Sequence, residues 1–286
     1  MANRLLTRLA AQVTERGLIP PKIGPKIHLD IRLGEQPFPA GFLFGLWLLS
    51  MITLPILWWT WGDAILPWGA SISVLLQGST VAACLIARWG GAKVGLIGGV
   101  LLVGSWAAEW IGSSIGLPFG IYHYTDRLQP QVGAVPLLIP VAWFMMLPVA
   151  WAIAFRITGR SRGWYFVVIS GLAFTAWDLY LDPQMVDWSF WEWAPQEMLF
   201  GGYFGIPWLN YAGWALCAML LTLLCTTVVD LKPLPTGYLL AIYIAVWLLE
   251  AGGLSIIWGQ PGPAFVGFVA MGIFVVLAVC KPSLPD

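Results

Sequence analysis

The chain has 286 residues, of which 59% are hydrophobic and 10% are charged, and its mean hydropathy is +0.80. This composition excludes a soluble domain and predicts an all-α membrane protein, a polytopic helical bundle. The 14 basic and 14 acidic residues cancel, so the charge predicts no nucleic-acid partner. The four cysteines lie in apolar runs without a CxxC pair, which predicts neither a disulfide framework nor a zinc site.

Residues 1–40 form a basic segment that we predict to be cytoplasmic. It has no long apolar run before Gly41, so no cleavable signal peptide is expected. Its leucines and arginines fit either a surface helix on anionic membrane lipid or a solvated tail that only sets the topology. Residues 41–286 are predicted to form a single transmembrane catalytic domain.

Eight apolar segments are long enough to cross the hydrocarbon core, which takes about 20 residues. They cover residues 41–61, 65–87, 93–115, 134–156, 163–182, 205–229, 235–258 and 261–280. With the N-terminus inside, all of the 14 basic residues except Arg127 fall in inner segments. This bias predicts that both termini are cytoplasmic and that two long loops, residues 116–133 and 183–204, are outside.

Acidic residues inside membrane spans are costly and are therefore candidates for function. Glu109, Asp178 and Glu250 lie in the third, fifth and seventh spans, each in the outer half under the predicted topology. Asn210 falls at the same level because the sixth span begins outside. The polar groups of four spans are therefore expected to converge next to the two long outer loops.

Helical spacing groups these polar residues with aromatic ones. Trp106 and Trp110 fall on the predicted face of Glu109, and Trp247 falls on that of Glu250. Because such faces are unfavourable against lipid, we expect a single cavity with aromatic walls and a few carboxyl groups.

Asp178 and Asp182 are four residues apart, which makes them neighbours on one helix face. Pro183 disfavours helical geometry at Asp182, so the helix is predicted to end there. Burial, a neighbouring like charge and the negative end of the helix dipole all favour a protonated carboxyl group. The pair is therefore suited to hold a proton and to donate it.

Structural interpretations of these residues stay open. Asp182 and Pro183 are also typical of a turn. Glu109 and Glu250 could be neutral acids that bond to a neighbouring helix. The tryptophans of residues 188–193 could belong to an ordinary interfacial belt.

Three segments carry a family resemblance. They are "GLPFGIYHYTDRLQPQVGAVPLLIPVAWFMM" (116–146), "WDLYLDPQMVDWSFWEW" (177–193) and "GGYFGIPWLNYAGW" (201–214). They resemble the signature blocks of the membrane carotenoid 1′,2′-hydratases, the CruF-type enzymes, which include bisanhydrobacterioruberin hydratases. The resemblance covers roughly residues 41–280.

The resemblance implies addition of water to the terminal double bond of an acyclic carotenoid end group, giving a tertiary alcohol. It implies lycopene, γ-carotene or a bacterioruberin precursor as the substrate, in the membrane lipid of a prokaryotic cell and alongside other carotenoid enzymes. Protonation of the alkene and capture of the cation by water is redox-neutral. We therefore expect no cofactor and no metal.

The residue patterns and the matching motif positions suggest roles in that reaction. Asp178 or Asp182 is the expected acid, the other is its partner or base, and Glu109 is the next candidate for the base that orients water. The predicted substrate-binding residues, which would stabilise the cation or shape the pocket, are Trp110, Phe119, Tyr122, Tyr124, Trp191, Trp193, Tyr203, Asn210 and Glu250.

Three alternatives remain at this stage. A lycopene-cyclase-like enzyme would use the same proton and the same cation, but an internal alkene would capture the cation. A prenyltransferase would need Mg²⁺ and several basic residues near its aspartates, whereas the acid-rich side has Arg127 alone. A proton-coupled transporter would need a polar path through the inner half, which the sequence does not show.

Overall fold

The computed structural model describes residues 38–195, 197 and 201–280. Most of the predicted basic N-terminal segment lies outside these residues. The described α-helices are α1 (Phe38–Trp61), α2 (Leu66–Trp89), α3 (Gly91–Ile115), α4 (Leu138–Thr158), α5 (Trp164–Asp187), α6 (Trp208–Val228), α7 (Gly237–Ile256) and α8 (Pro261–Val279). Each overlaps one of the predicted apolar segments, so the predicted all-α polytopic bundle is confirmed.

The first two helices form a hairpin. A 3-10 turn over Gly62–Ile65 joins α1 to α2, which makes Phe38–Trp89 one helical segment of 52 residues. If this long segment is counted once, the described residues contain seven helical segments that are long and apolar enough to cross a membrane. The Oγ of Ser73 in α2 donates to the sulfur of Met51 in α1. The two helices therefore lie side by side, and the long segment folds back on itself.

Helix α4 lies at the centre of the bundle. It packs against α2, α3, α5, α7 and α8, and most of its side chains are buried. Its Trp151 Nε1 donates to Oγ1 of Thr222 in α6 at 2.8 Å. A helix surrounded by other helices can direct polar groups at its neighbours without exposing them to lipid.

Short strands occupy the loops at one end of the bundle. They are β1 (Tyr122–Tyr124), β2 (Gln131–Val132), β3 (Val135–Pro136), β4 (Trp191–Trp193), β5 (Gly202–Tyr203) and β6 (Ile206–Pro207). In the described part of the chain they form three antiparallel pairs, β1 with β4, β2 with β3, and β5 with β6. The β1–β4 pair joins the two long loops predicted to lie outside.

Helix α5 does not end at Asp182, as the sequence predicts, but continues through Pro183 to Asp187. Proline has no N–H to donate to the carbonyl of Leu179 one turn earlier. The hydroxyl of Tyr203 in β5 donates to that carbonyl instead, at 3.1 Å. The prediction is wrong because the replacement donor comes from another loop, which the local sequence does not reveal.

Gly213 allows the loop after α3 to approach α6 closely. A Cβ at Gly213 would lie 2.6 Å from the carbonyl oxygen of Pro118 and 2.8 Å from Cδ1 of Phe119. Gly112 in α3 meets the same Phe119 ring from the other side. The buried Phe119 side chain thus fills the gap between α3 and α6 and fixes the start of the loop that leads to β1.

We expect Gly213→Ala to lower the midpoint of thermal unfolding, because the backbone at Pro118 must move and overpacking costs about 1–3 kcal/mol. Gly95→Ala in α3 is the matched control, since its Cβ would meet no atom of the described residues within 4 Å and alanine favours the helix. Tryptophan fluorescence of both variants in detergent measures the midpoints. Equal midpoints would contradict the close approach of this loop to α6.

Candidate active site

Asp178 and Asp182 form a buried acid pair on α5. Their exposed fractions are 0% and 2%, and the two carboxyl groups lie close together. Nδ2 of Asn210 in α6 donates to Oδ2 of both residues, at 3.2 Å to Asp178 and more closely to Asp182. Nε1 of Trp191 donates to Oδ1 of Asp182 at 3.0 Å. Asp182 thus has two donors and Asp178 has one, and Oδ1 of Asp178 has no donor within the described residues.

Glu109 in α3 is the third buried carboxyl group, with 2% of its surface exposed. The Tyr122 and Tyr124 hydroxyls donate to its Oε2 at 2.5 and 2.8 Å, and Nε1 of Trp143 donates to its Oε1 at 3.0 Å. A carboxylate offers about four lone-pair positions, so one position remains after these three bonds. Three donors stabilise a charged carboxylate, and the fourth position can accept a hydrogen bond from water.

The β1–β4 pair covers the buried carboxyl groups. Its register places Tyr122 opposite Trp193 and Tyr124 opposite Trp191. Alternation along a strand directs these four side chains to one face. Tyr122 stacks at a tilt on Trp193 at 4.9 Å, and Tyr124 contacts Trp191 edge to face at 5.7 Å. The strands therefore present an aromatic surface to the carboxyl groups.

Burial, followed by the negative charge of Glu109, raises the pKa of both the Tyr122 and the Tyr124 hydroxyl well above the usual range. Because both effects disfavour the phenolate, the hydroxyls keep their protons. They therefore act as permanent donors to Glu109.

The opposite face of the β1–β4 pair is solvated. His123 and Glu192 lie there with side chains 69% and 58% exposed and with Nε2 and Oε2 3.7 Å apart. An exposed pair of this kind contributes little to stability. His123 is thus turned away from the buried acids.

An aromatic stack forms a second wall of the site. The Trp143 ring stacks on Trp214 at 4.8 Å and contacts Phe174 at 4.7 Å, and Trp177 packs edge to face on Phe174 at 5.7 Å. Because Trp143 also donates to Glu109, this stack touches the acid cluster directly. Such ring faces attract cations, more strongly where water is excluded.

A small pocket lies among these groups. Glu109, Asp182, Asn210 and Trp214 line it together with both tyrosines and both tryptophans of the β1–β4 pair. Its volume of about 20 Å³ exceeds the roughly 10–15 Å³ that one water molecule requires. Its polar walls offer that water both donors and acceptors.

A larger apolar cavity of about 550 Å³ adjoins the small pocket. The two share the lining residues Ile139, Ala142, Leu181 and Trp191. A volume of this size is typical of small-molecule sites. Side chains on its rim are exposed on the outer surface of the bundle, among them Ile256 at 84%. The cavity therefore opens toward the region that lipid would occupy.

Most of the predicted site residues come together. Those around the small pocket are Glu109, Tyr122, Tyr124, Asp182, Trp191, Trp193 and Asn210, and Asp178 joins them through Asn210. Phe119 packs edge to face on Tyr122 at 6.3 Å, and Tyr203 holds the carbonyl of Leu179 between the two aspartates. The predicted meeting of the third, fifth and sixth spans is thus present in the structure.

Two predicted residues lie elsewhere. Trp110 stacks on Trp106 and is 46% exposed, so the prediction that it lines the cavity beside Glu109 is wrong. The inward face of α3 passes through Ser105 and Glu109, and the next residue is turned by about 100°. Glu250 lies apart from the acid cluster, on the wall of the larger cavity.

Sequence reasoning missed Trp143 and Trp214. The quoted family segments contain both residues. Trp214 lies four residues after Asn210, which predicts the same helix face, whereas nothing in the spacing of Trp143 distinguishes it from a core or interfacial tryptophan. Their roles depend on contacts between α4, α3 and α6, which only the folded bundle defines.

The fold and the site together define a polytopic helical membrane protein with a buried carboxyl cluster beside an apolar cavity. A family model described as "Carotenoid biosynthesis protein" matches residues 69–274, most of the chain. The chain belongs to this family, and the family resemblance predicted from its three sequence segments is confirmed. It is a multi-pass membrane protein of carotenoid biosynthesis.

A curated relative gives a more detailed comparison. The chain is 33% identical to bisanhydrobacterioruberin hydratase of Haloarcula japonica over 110 residues. This stretch makes up 37% of this chain and 36% of that protein. The matched stretch thus spans about a third of the relative's length. No solved structure matches the chain.

We expect Tyr122→Phe to lower the midpoint of thermal unfolding, because it removes a hydrogen bond from a buried carboxyl group at a cost of about 1–3 kcal/mol. The same substitution in a Glu109→Gln background is expected to cost less, since a hydrogen bond to a neutral acceptor is weaker. Tyr165→Phe, at an exposed position, is the control. Equal costs in both backgrounds would show that Tyr122 does not stabilise a charged Glu109.

Proposed function

We propose that this protein hydrates an acyclic carotenoid end group. Water is added across the terminal carbon–carbon double bond, which produces a tertiary alcohol. The observation that carries the proposal is a water-sized polar pocket, lined by Glu109 and Asp182, next to a large apolar cavity. The apolar cavity suits the polyene, and the polar pocket suits the second substrate, water.

Asp178 is the proposed proton donor. Asp182 receives hydrogen bonds from Trp191 and Asn210, which support a negative charge on that carboxylate. Among the described residues, Asp178 accepts a hydrogen bond from Asn210 alone. A proton on Asp178 would satisfy both residues, because the protonated carboxyl group can donate to the Asp182 carboxylate.

The reaction begins when the Asp178 proton, passed through Asp182 on the pocket wall, forms a C–H bond at the less substituted alkene carbon. The positive charge then lies on the tertiary carbon. The stacked rings of Trp143 and Trp214 and the carboxylate charges stabilise this cation in a site with little water. The water molecule next forms the C–O bond.

Glu109 is the proposed base that receives the proton of that water. Its fourth acceptor position can hold and orient the water molecule before attack. After the reaction Glu109 carries a proton and Asp178 lacks one. Transfer of that proton from Glu109 to Asp178 restores the starting state, so the sum is one alkene plus one water giving one alcohol.

The proposed substrates are lycopene, γ-carotene and a bacterioruberin precursor, because each can carry an acyclic end group with a terminal double bond. The proposed location is the cell membrane of a prokaryote with both termini in the cytoplasm, where other enzymes of carotenoid synthesis could supply the substrate. The name of the Haloarcula japonica relative supports a hydratase, although the matched stretch covers only part of it.

The first test is carotenoid mass spectrometry in a host that accumulates lycopene and expresses this chain. We expect a new product heavier by one water, and Asp178→Asn is expected to lower its amount at least about 100-fold, as for loss of a general acid. Asp187→Asn, at an exposed position on the same helix, is the matched control and should retain the product. A product of unchanged mass and altered absorption would support cyclisation instead.

Growth of the same cells in water labelled with oxygen-18 tests the source of the hydroxyl oxygen. We expect the label in the new hydroxyl group, because the proposed nucleophile is water. An unlabelled hydroxyl group formed in air would identify an oxygenase reaction and contradict the hydration proposal.

A further inference from the structure

The wall of the large cavity carries an isolated polar patch that the proposed hydration does not use. The patch consists of Gln184, Trp188 and Glu250, and all three residues line the cavity. Gln184 and Trp188 are 5% and 6% exposed. The remaining lining is largely apolar, so a polar group here is costly unless a partner compensates it.

Two of the other polar lining residues already have partners. Ser73 donates to the sulfur of Met51, and Gln77 donates to the carbonyl oxygen of Met145 at 3.5 Å. Within the patch, the Gln184 amide lies close to the carboxyl group of Glu250. Nε1 of Trp188 is buried and has no acceptor among the described residues.

Glu250 therefore offers acceptor positions, and Trp188 offers a donor without an acceptor. A hydroxyl group is the simplest ligand that satisfies both, because its oxygen accepts one hydrogen bond while its hydrogen is donated in another. A hydrocarbon in the cavity would leave the Trp188 N–H unsatisfied.

We infer that Gln184, Trp188 and Glu250 form a second subsite, which binds a hydroxyl group of an oxygenated polyene. This inference rests on the proposed function, since it assumes that the cavity holds a polyene. The subsite acts in selection: a polyene that already carries a hydroxyl group binds better than the hydrocarbon of the same length.

A competition experiment tests this inference without turnover. The full chain carrying Asp178→Asn is immobilised in detergent and given equal amounts of lycopene and 1-hydroxy-1,2-dihydrolycopene. The ratio of the two bound polyenes is measured by chromatography, after subtraction of what bare resin retains. We expect a preference of about tenfold for the alcohol, as one or two hydrogen bonds would give.

Variants then assign the preference to the patch. Glu250→Leu and Trp188→Phe should each reduce the ratio toward one, and Glu250→Gln should keep part of it because the amide can still accept a hydrogen bond. Trp59→Phe makes the same ring change in α1, on another part of the cavity wall, and should leave the ratio intact.

A ratio near one in the parent chain, or no bound polyene at all, would overturn the subsite. So would a tenfold ratio that survives both Glu250→Leu and Trp188→Phe. The proposed function is tested separately. If the alcohol is preferred tenfold but cells form no hydrated product, the subsite stands and the proposed hydratase activity is contradicted.

Discussion

Three carboxyl groups buried inside a membrane bundle are the constraint on which the site depends. Burial of a carboxylate is expensive unless hydrogen bonds compensate it. The donors that the structure shows on these acids are uncharged: tyrosine hydroxyls, tryptophan indoles and an asparagine amide. Such donors stabilise negative charge without neutralising it, which keeps the acids available for the proposed proton transfer.

This requirement explains why the loops at this end of the bundle are ordered into strands. Tyr122 and Tyr124 reach Glu109 because β1 pairs with β4, and Trp191 reaches Asp182 through the same pairing. The β1–β4 pair thus supplies hydrogen-bond donors to both Glu109 and Asp182. Its inner aromatic face also shields the buried carboxyl groups from bulk water.

The continuation of α5 through Pro183 also supports the buried acids. A helix that ended at Asp182 would leave the aspartate pair at a frayed terminus. The Tyr203 hydroxyl replaces the missing backbone donor and keeps the turn of α5 that carries both aspartates intact. Tyr203 therefore contributes to the site through the backbone, whereas the sequence suggested a role in the aromatic wall.

The sequence by itself determined the helical segments, the acidic residues placed within them and the family, because apolar length, helical spacing and motif order are local properties of the chain. It also predicted that Glu109, Asp178, Asn210 and Glu250 would meet, since all four fall at one predicted level in the membrane, and the first three do. Only the tertiary structure decided that Trp110 faces outward, that Glu250 lies on the wall of the larger cavity and that Trp143 donates to Glu109. These depend on the rotation of each helix against its neighbours and on strand pairing between distant loops, and both are set by packing across the whole bundle.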